Sequence, residues 1–299
     1  VNCIAGTYSN TTTQRTWSTA GTATAPVWFR GYDTTIGDLD DVPVSQLTPG
    51  TDMPSFEWTT ARGETGSGAN FLSFSSINFT SASTASATFR TQHNRFFMRR
   101  CRFLHTGSTS NVEALHINGD YVHLESSYLE NTTDGDCLTL AGRASVEGNI
   151  FKDGRHSVTA SDTNSFIRNI FNNPDDHAIE ITDVNNATVI HANTFYSIPP
   201  SADGVRLTGP PDGVFITNNL FSEIGGYAIN NSSGTDSSEV YISHNLYHSL
   251  TSGELNGITE SVQFDKQTDS NSPFVGAGDG DFRLVPGSNA IGNGAPVLF

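Results

Sequence analysis

Along the middle of the chain, from Cys101 to Tyr247, apolar and polar residues follow one returning phrase: apolar-x-x-Asn-x-aromatic. It reads Val146-Glu147-Gly148-Asn149-Ile150-Phe151, then Phe166-Ile167-Arg168-Asn169-Ile170-Phe171. It returns at Asn193-Thr194-Phe195, Asn219-Leu220-Phe221 and Asn245-Leu246-Tyr247, so the asparagines stand 20, 24, 26 and 26 residues apart. Weaker copies place Ser127, Cys101 and Ile77 where the asparagine belongs. Each interval holds a second apolar-polar-apolar triplet: Leu115-His116-Ile117, Leu138-Thr139-Leu140, Val158-Thr159-Ala160, Ile179-Glu180-Ile181 and Val205-Arg206-Leu207, fading at Ile229-Asn230-Asn231. Period two predicts short strands with one buried face. The intervals are too short for helices of about 10 residues plus their connections. A regular period of this length predicts stacked coils, each burying its apolar face against the next at about 4.8 Å. Asn149 through Asn245 then form an internal amide ladder, and Phe151 through Tyr247 an aromatic stack.

On these repeats the chain resembles right-handed parallel β-helix proteins of the pectate-lyase-like superfamily. The resemblance extends to Ala5-Gly6-Thr7-Tyr8 and Pro26-Val27-Trp28-Phe29-Arg30-Gly31-Tyr32 near the start. At the end it takes in Gly280-Asp281-Phe282-Arg283-Leu284-Val285-Pro286-Gly287. It implies an all-β solenoid of about eight or more coils. Residues 1–70 are expected to form N-terminal coils with a loop insertion, 71–250 the regular coils, and 251–299 a closing segment. The fold itself says little about the reaction, because this scaffold hosts many functions.

Charge narrows the choice. The 299 residues carry 15 Lys+Arg against 31 Asp+Glu, a net −16, with only two lysines. That argues against nucleic acid, whose binding rests on basic side chains neutralising phosphates. It also disfavours a polyanionic glycan unless Ca²⁺ bridges the carboxylates. The acidic segment Gly37-Asp38-Leu39-Asp40-Asp41 lacks the regular ligand spacing of a dedicated Ca²⁺ loop and reads as a solvated insertion rather than a site for such an ion. Three cysteines make no disulfide framework, and Cys101, on a ladder position, is expected to be a buried thiol. Trp28, inside an apolar run, is expected in the core. No apolar run is long enough for a membrane span. The polar, lysine-poor composition points to an extracellular or virion-surface setting, as a monomer or a homotrimer.

Stacking turns the sequence period into columns. One lies two residues before each leading apolar residue: Glu113, Asp136, His156, His177, Asp203 and Tyr227. The other lies between the apolar pairs: His116, Thr139, Thr159, Glu180, Arg206 and Asn230. Both are expected on the solvent side, with neighbours about 5 Å apart. Glu113, Asp136, His156, His177, Glu180 and Arg206 are the candidate catalytic residues, and His116, Asp203 and Tyr227 the candidate substrate-binding residues. No dedicated metal-ligand motif is present, so Ca²⁺ is the one ion the sequence leaves open.

Two local motifs sharpen the chemistry. Asp134-Gly135-Asp136-Cys137 resembles the Asp-Asp-Cys strand of polygalacturonase-type glycoside hydrolases, with Gly135 between the aspartates. Gly154-Arg155-His156 resembles their Gly-His-Gly strand, and Val205-Arg206-Leu207-Thr208 their Arg-x-Lys strand, with Thr208 in place of lysine. Asp175-Asp176-His177 resembles the Asp-Pro-His motif of alginate epimerases. Hydrolysis would use Asp136 as general acid, with Glu113 holding water. A lyase or epimerase would use His156 or His177 as base and Arg206 or Ca²⁺ to neutralise a uronate carboxylate. The expected function is therefore a polysaccharide-degrading enzyme. The alternative is a non-catalytic structural or glycan-binding rod such as a tail fibre, spike or adhesin.

Overall fold

The computed structural model describes all residues except 10–12, 19, 67–68, 109–110, 184–186, 235–236, 259–262 and 295–299. Every coil makes the same circuit. A strand such as Ala144–Glu147 joins sheet A, a tight turn leads to Ile150–Asp153 in sheet B, and Val158–Ser161 follows in sheet C. Among the described residues, sheets A and B each hold 11 strands and sheet C holds 10, with each strand paired to its counterpart one coil away. The pairing is parallel throughout these three sheets, from Asn2–Ile4 onward. The fold is a parallel β-helix, as the period predicts. Among the described residues no helix is long and apolar enough to cross a membrane.

The asparagine ladder sits in the turn between sheets A and B. Asn149, Asn169, Asn193 and Asn219 each donate Nδ2 to the Oδ1 of the next asparagine at 3.0 Å. The same Oδ1 atoms accept the backbone N–H of the previous asparagine at 2.8–2.9 Å. The residue before each asparagine takes a left-handed conformation, as at Arg168, Ala192, Asn218 and His244. This tight bend turns the asparagine inward, and the ladder's hydrogen bonds compensate the strained backbone. Ser127 continues the ladder, its N–H donating to Asn149 Oδ1 at 2.8 Å, and its hydroxyl accepts the Cys101 N–H. Cys101 is buried, and burial pushes its thiol up to about 12.

Beside the ladder, Phe151, Phe171, Phe195, Phe221 and Tyr247 stack with centroids 4.5–5.6 Å apart. Inward-facing residues of all three sheets complete one continuous apolar core. The antiparallel pair Phe274–Gly276 and Asp281–Leu284 lies outside the coils. Phe274 and Phe282 cover the outward Leu220, Leu246 and Tyr196 of sheet B.

One sequence expectation changes, and the acidic segment reads as the solvated insertion the sequence suggests. Trp28 is not in the core: it is 47% exposed on the outer face of sheet A, because Val27–Tyr32 alternates and Phe29 takes the inward position. The acidic segment offers poor Ca²⁺ ligands. The Asp38 carboxylate accepts the backbone N–H groups of Asp33, Thr34 and Thr35, which draw its pKa down to about 2, and Asp40 pairs with Arg30. Leu39, Val44, Leu47 and Met53 anchor the insertion through a small cluster of their own.

His105 gives the fold an acid sensitivity. Its side chain is buried, Nδ1 meets Thr88 Oγ1 at 3.2 Å, and Nε2 has no partner among the described residues. Burial lowers its pKa from 6.5 to about 4, against a smaller upward pull from Glu113. Below pH 6.5 the unfolded chain therefore takes up a proton that the native chain refuses. His105 costs no stability above that pH, and its penalty grows as pH falls toward 4, reaching about 3 kcal/mol at roughly 1.4 kcal/mol per unit. Urea unfolding of the wild type and His105→Gln at pH 7.5 and 4.5 checks this. The variant is expected to lose markedly less stability on acidification, and equal losses would place the sensitivity elsewhere.

Candidate functional site

Sheet C carries the candidate column in the register the sequence predicts. His116 pairs with Thr139, Thr139 with Thr159, Thr159 with Glu180, Glu180 with Arg206, and Arg206 with Asn230. The preceding column is joined by backbone hydrogen bonds running Ala114 to Asp136, Cys137 to His156, Ser157 to His177, Ala178 to Asp203 and Gly204 to Tyr227. This second set is not simply solvent-side: Asp136, His156, His177 and Asp203 are all buried. The covering groups come from the residue before each column member. Arg155 and Asp176 fill that position above Asp136, His156 and His177.

His156 is the centre. Its Nδ1 lies 3.1 Å from Asp136 Oδ1, 3.1 Å from Thr159 Oγ1 and 3.8 Å from Glu180 Oε2. Its Nε2 lies 3.5 Å from Asp176 Oδ2. The ring stacks on His177, centroids 5.6 Å apart and planes within 7°. Asp136 also accepts from Arg155 Nε and Nη2 at 3.2 and 3.1 Å, while Arg155 Nη1 reaches Asn111 Oδ1 at 2.6 Å. Burial would raise the Asp136 pKa, yet His156, Thr159 and Arg155 together bring it below the ordinary carboxylate value. A buried carboxyl held toward its charged form is a poorer proton donor.

His177 meets N–H donors at both ring nitrogens: the Asp203 backbone N–H donates to Nδ1 at 2.8 Å, and Arg206 Nη1 lies against Nε2, which is also 3.2 Å from Asp176 Oδ1. Burial lowers the His177 pKa, with Arg206 and His156 acting the same way and outweighing Asp176 and Asp203. This arrangement also bears on metal binding. His156, Asp176 and His177 bring three ligand atoms within 4.8 Å of one another. A ligating histidine normally donates its other ring N–H, whereas His177 Nδ1 accepts from the Asp203 backbone, so the usual outer partner of a metal-bound imidazole is missing there.

The remaining expected residues flank this centre. Glu113 and His116 form a pair, Oε1 to Nδ1 3.5 Å; burial pushes Glu113 up, but His116 and its own backbone N–H bring it below its usual value. They line a depression of about 220 Å³ together with Arg62, Arg90 and Asn111, which Arg155 joins to the centre. Asp203 is not a free substrate ligand: Oδ1 accepts the Tyr227 N–H at 2.8 Å and Oδ2 accepts Asn230 Nδ2 at 2.7 Å. Tyr227 is half-buried one coil beyond, and its backbone N–H donates to Asp203 Oδ1. Arg206 Nε donates to Ser232 at 3.1 Å.

Asp176, Arg155 and Asn111 stand outside the sequence-derived set. Arg155 and Asp176 occupy a third column whose other members are Val112, Gly135, Ala202 and Gly226, so no repeated polar signal marks it. Gly135 also explains the broken Asp-Asp pair. A Cβ there would lie 1.9 Å from the Val112 carbonyl oxygen, which excludes any side chain.

No protein-family model and no curated protein matches the sequence. Among solved structures, the chain is similar to the PL6 family polysaccharide lyase Pedsa3628 from Pseudopedobacter saltans, at 9% identity and a TM-score of 0.42, covering 95% of this chain and 91% of that one. The PL6 family alginate lyase AlyGC gives 12% identity and a TM-score of 0.42, over 96% of this chain and 52% of that one. The tailspike protein of E. coli bacteriophage HK620, in complex with pentasaccharide, gives 13% identity and a TM-score of 0.34, over 82% and 60%. These likenesses concern the winding of the chain.

Proposed function

We propose that the protein hydrolyses a neutral polysaccharide at the outer face of sheet C, in an extracellular or virion-surface setting. One observation carries this reading: Asp176 and Glu180 flank the His156 ring from opposite nitrogens and are its solvent-facing neighbours, 43% and 20% exposed. A pair of carboxyl groups astride a bound sugar is the standard apparatus of glycoside hydrolysis. In this reading Asp176 and Glu180 serve as acid and base. His156 positions both and lies where it can pass a proton between them, and Asp136 with Arg155 fixes the ring. Arg206 and the depression at Glu113 and His116 hold neighbouring sugars along the column.

The histidine-based lyase is the weaker option. The His156 side chain is 7% exposed and that of His177 2%, with Asp176 against both Nε2 atoms, so neither nitrogen is open to a polymer's C5 proton. The face is also rich in carboxylates, which disfavours a polyuronate. A second reading, a non-catalytic glycan-binding rod, draws support from the pairing of Asp136, His177 and Asp203 with protein groups.

Incubation with neutral and acidic polysaccharides, with and without Ca²⁺, separates these readings. New reducing ends without ultraviolet absorbance from unsaturated products support hydrolysis. Unsaturated products would mean β-elimination, and silence in both channels would favour the non-catalytic rod.

A further inference from the structure

One cavity lies away from this cluster. It occupies about 490 Å³ on the outer face of sheet A, beside the loops arriving from sheet C. The register explains its shape. The outward column runs from Phe97 through His123, Ser145, Ser165 and Val189 to Phe215 and Tyr241. Two serines in the middle leave a trough between large side chains. Phe97 and His123 stack at its upstream end, centroids 5.1 Å apart and planes within 2°. Tyr121 and Arg143 form the side wall, the guanidinium 4.5 Å from the ring centroid.

Three observations define what fits. First, in a chain of net charge −16 no acidic side chain among the described residues lines this trough, and Arg143 is neutralised by a two-point pairing with Asp120 at 3.3 Å. The occupant is therefore uncharged. Second, the hydroxyls of Ser145, Ser165 and Tyr121 have no hydrogen-bond partner among the described residues, so the floor and wall offer free donors and acceptors. Third, Tyr121 is 56% exposed beside the trough. Flat rings beside unpaired hydroxyls, with no net charge, match the apolar faces and hydroxyl rims of sugars.

We propose that this trough is a glycan-binding platform for a neutral oligosaccharide segment, separate from the sheet C cluster. The two faces share no side chain, so the platform stands whether or not sheet C hydrolyses a glycan. The test is affinity electrophoresis of the wild type, Tyr121→Ala and Ser165→Arg in gels containing galactomannan, β-glucan or dextran. The wild type is expected to be retarded by at least one of these, with affinity reduced more than tenfold by Ser165→Arg and severalfold by Tyr121→Ala. Melting curves identify any variant that fails to fold; Tyr121→Ala, changed at a largely exposed side chain, then carries the test. Unretarded wild type, or unchanged retardation of the folded variants, would overturn the proposal. So would sedimentation showing an oligomer that Ser165→Arg dissociates, because a second copy would then cover the trough.

Discussion

Asn193→Leu is expected to destabilise the protein by about 4 kcal/mol or more, because it removes four buried hydrogen bonds at once. Asn193 is buried in mid-ladder. Its Oδ1 accepts the Asn169 N–H and Nδ2 at 2.9 and 3.0 Å, and its Nδ2 donates to Phe166 O and Asn219 Oδ1 at 2.9 and 3.0 Å. Leucine keeps the approximate volume but can make none of these bonds. The Asn169 N–H and the Phe166 carbonyl lose these buried partners, each at a cost of roughly 1–3 kcal/mol. Asn169 Nδ2 keeps its bond to Val146 O, which limits the damage on that side. Asn193→Ser retains an acceptor at this position, as Ser127 does naturally, and is expected to lose about half as much. Guanidinium unfolding gives the midpoints. Because coils respond chiefly to their neighbours, amide exchange around residues 166–195 should show the loss locally even where the global transition is not two-state. A midpoint for Asn193→Leu equal to the wild type would show that the ladder follows from the coil rather than supporting it.

The ladder was legible in the sequence because it repeats. A residue that must meet its own kind one coil away writes a period, and Asn149 through Asn245 do so with few exceptions. The register of His116, Thr139, Thr159, Glu180 and Arg206 was legible for the same reason, since each is bracketed by inward apolar residues. Burial was not legible at Asp136, His156 and His177. It depends on Arg155 and Asp176 folding over them, and the column those two occupy elsewhere holds small or apolar residues. Trp28 misled because Val27-Trp28-Phe29 reads as one apolar run, although the alternation turns only Val27 and Phe29 inward. The sheet A trough is a negative feature, two serines where neighbours are large, and becomes visible only once Ser145 and Ser165 are aligned with His123 and Val189.

The largest expected effect on activity belongs to the carboxyl pair of sheet C. Glu180→Gln and Asp176→Asn should each lower the rate of reducing-end release from the preferred polysaccharide by about 10²–10⁴-fold, the usual contribution of a positioned acid or base. Both substitutions keep side-chain size and hydrogen-bonding capacity, and both sites are partly exposed, so melting temperatures should stay near that of the wild type. The double variant should be little worse than the poorer single variant, because an acid and a base acting in one displacement step work as a unit. His156→Gln separates positioning from chemistry. It removes the ring that lies between the carboxyl groups, so its loss should appear in kcat with an altered pH profile rather than as a uniform rise in KM. Arg206→Ala, at the edge of the column, should instead raise KM with a smaller change in kcat. Activity within threefold of the wild type in both Glu180→Gln and Asp176→Asn would remove the carboxyl pair from the mechanism. If His156→Gln alone then abolished turnover and the products were unsaturated, the chemistry would belong to the imidazole, and Asp176 would be the gate that must move to expose it.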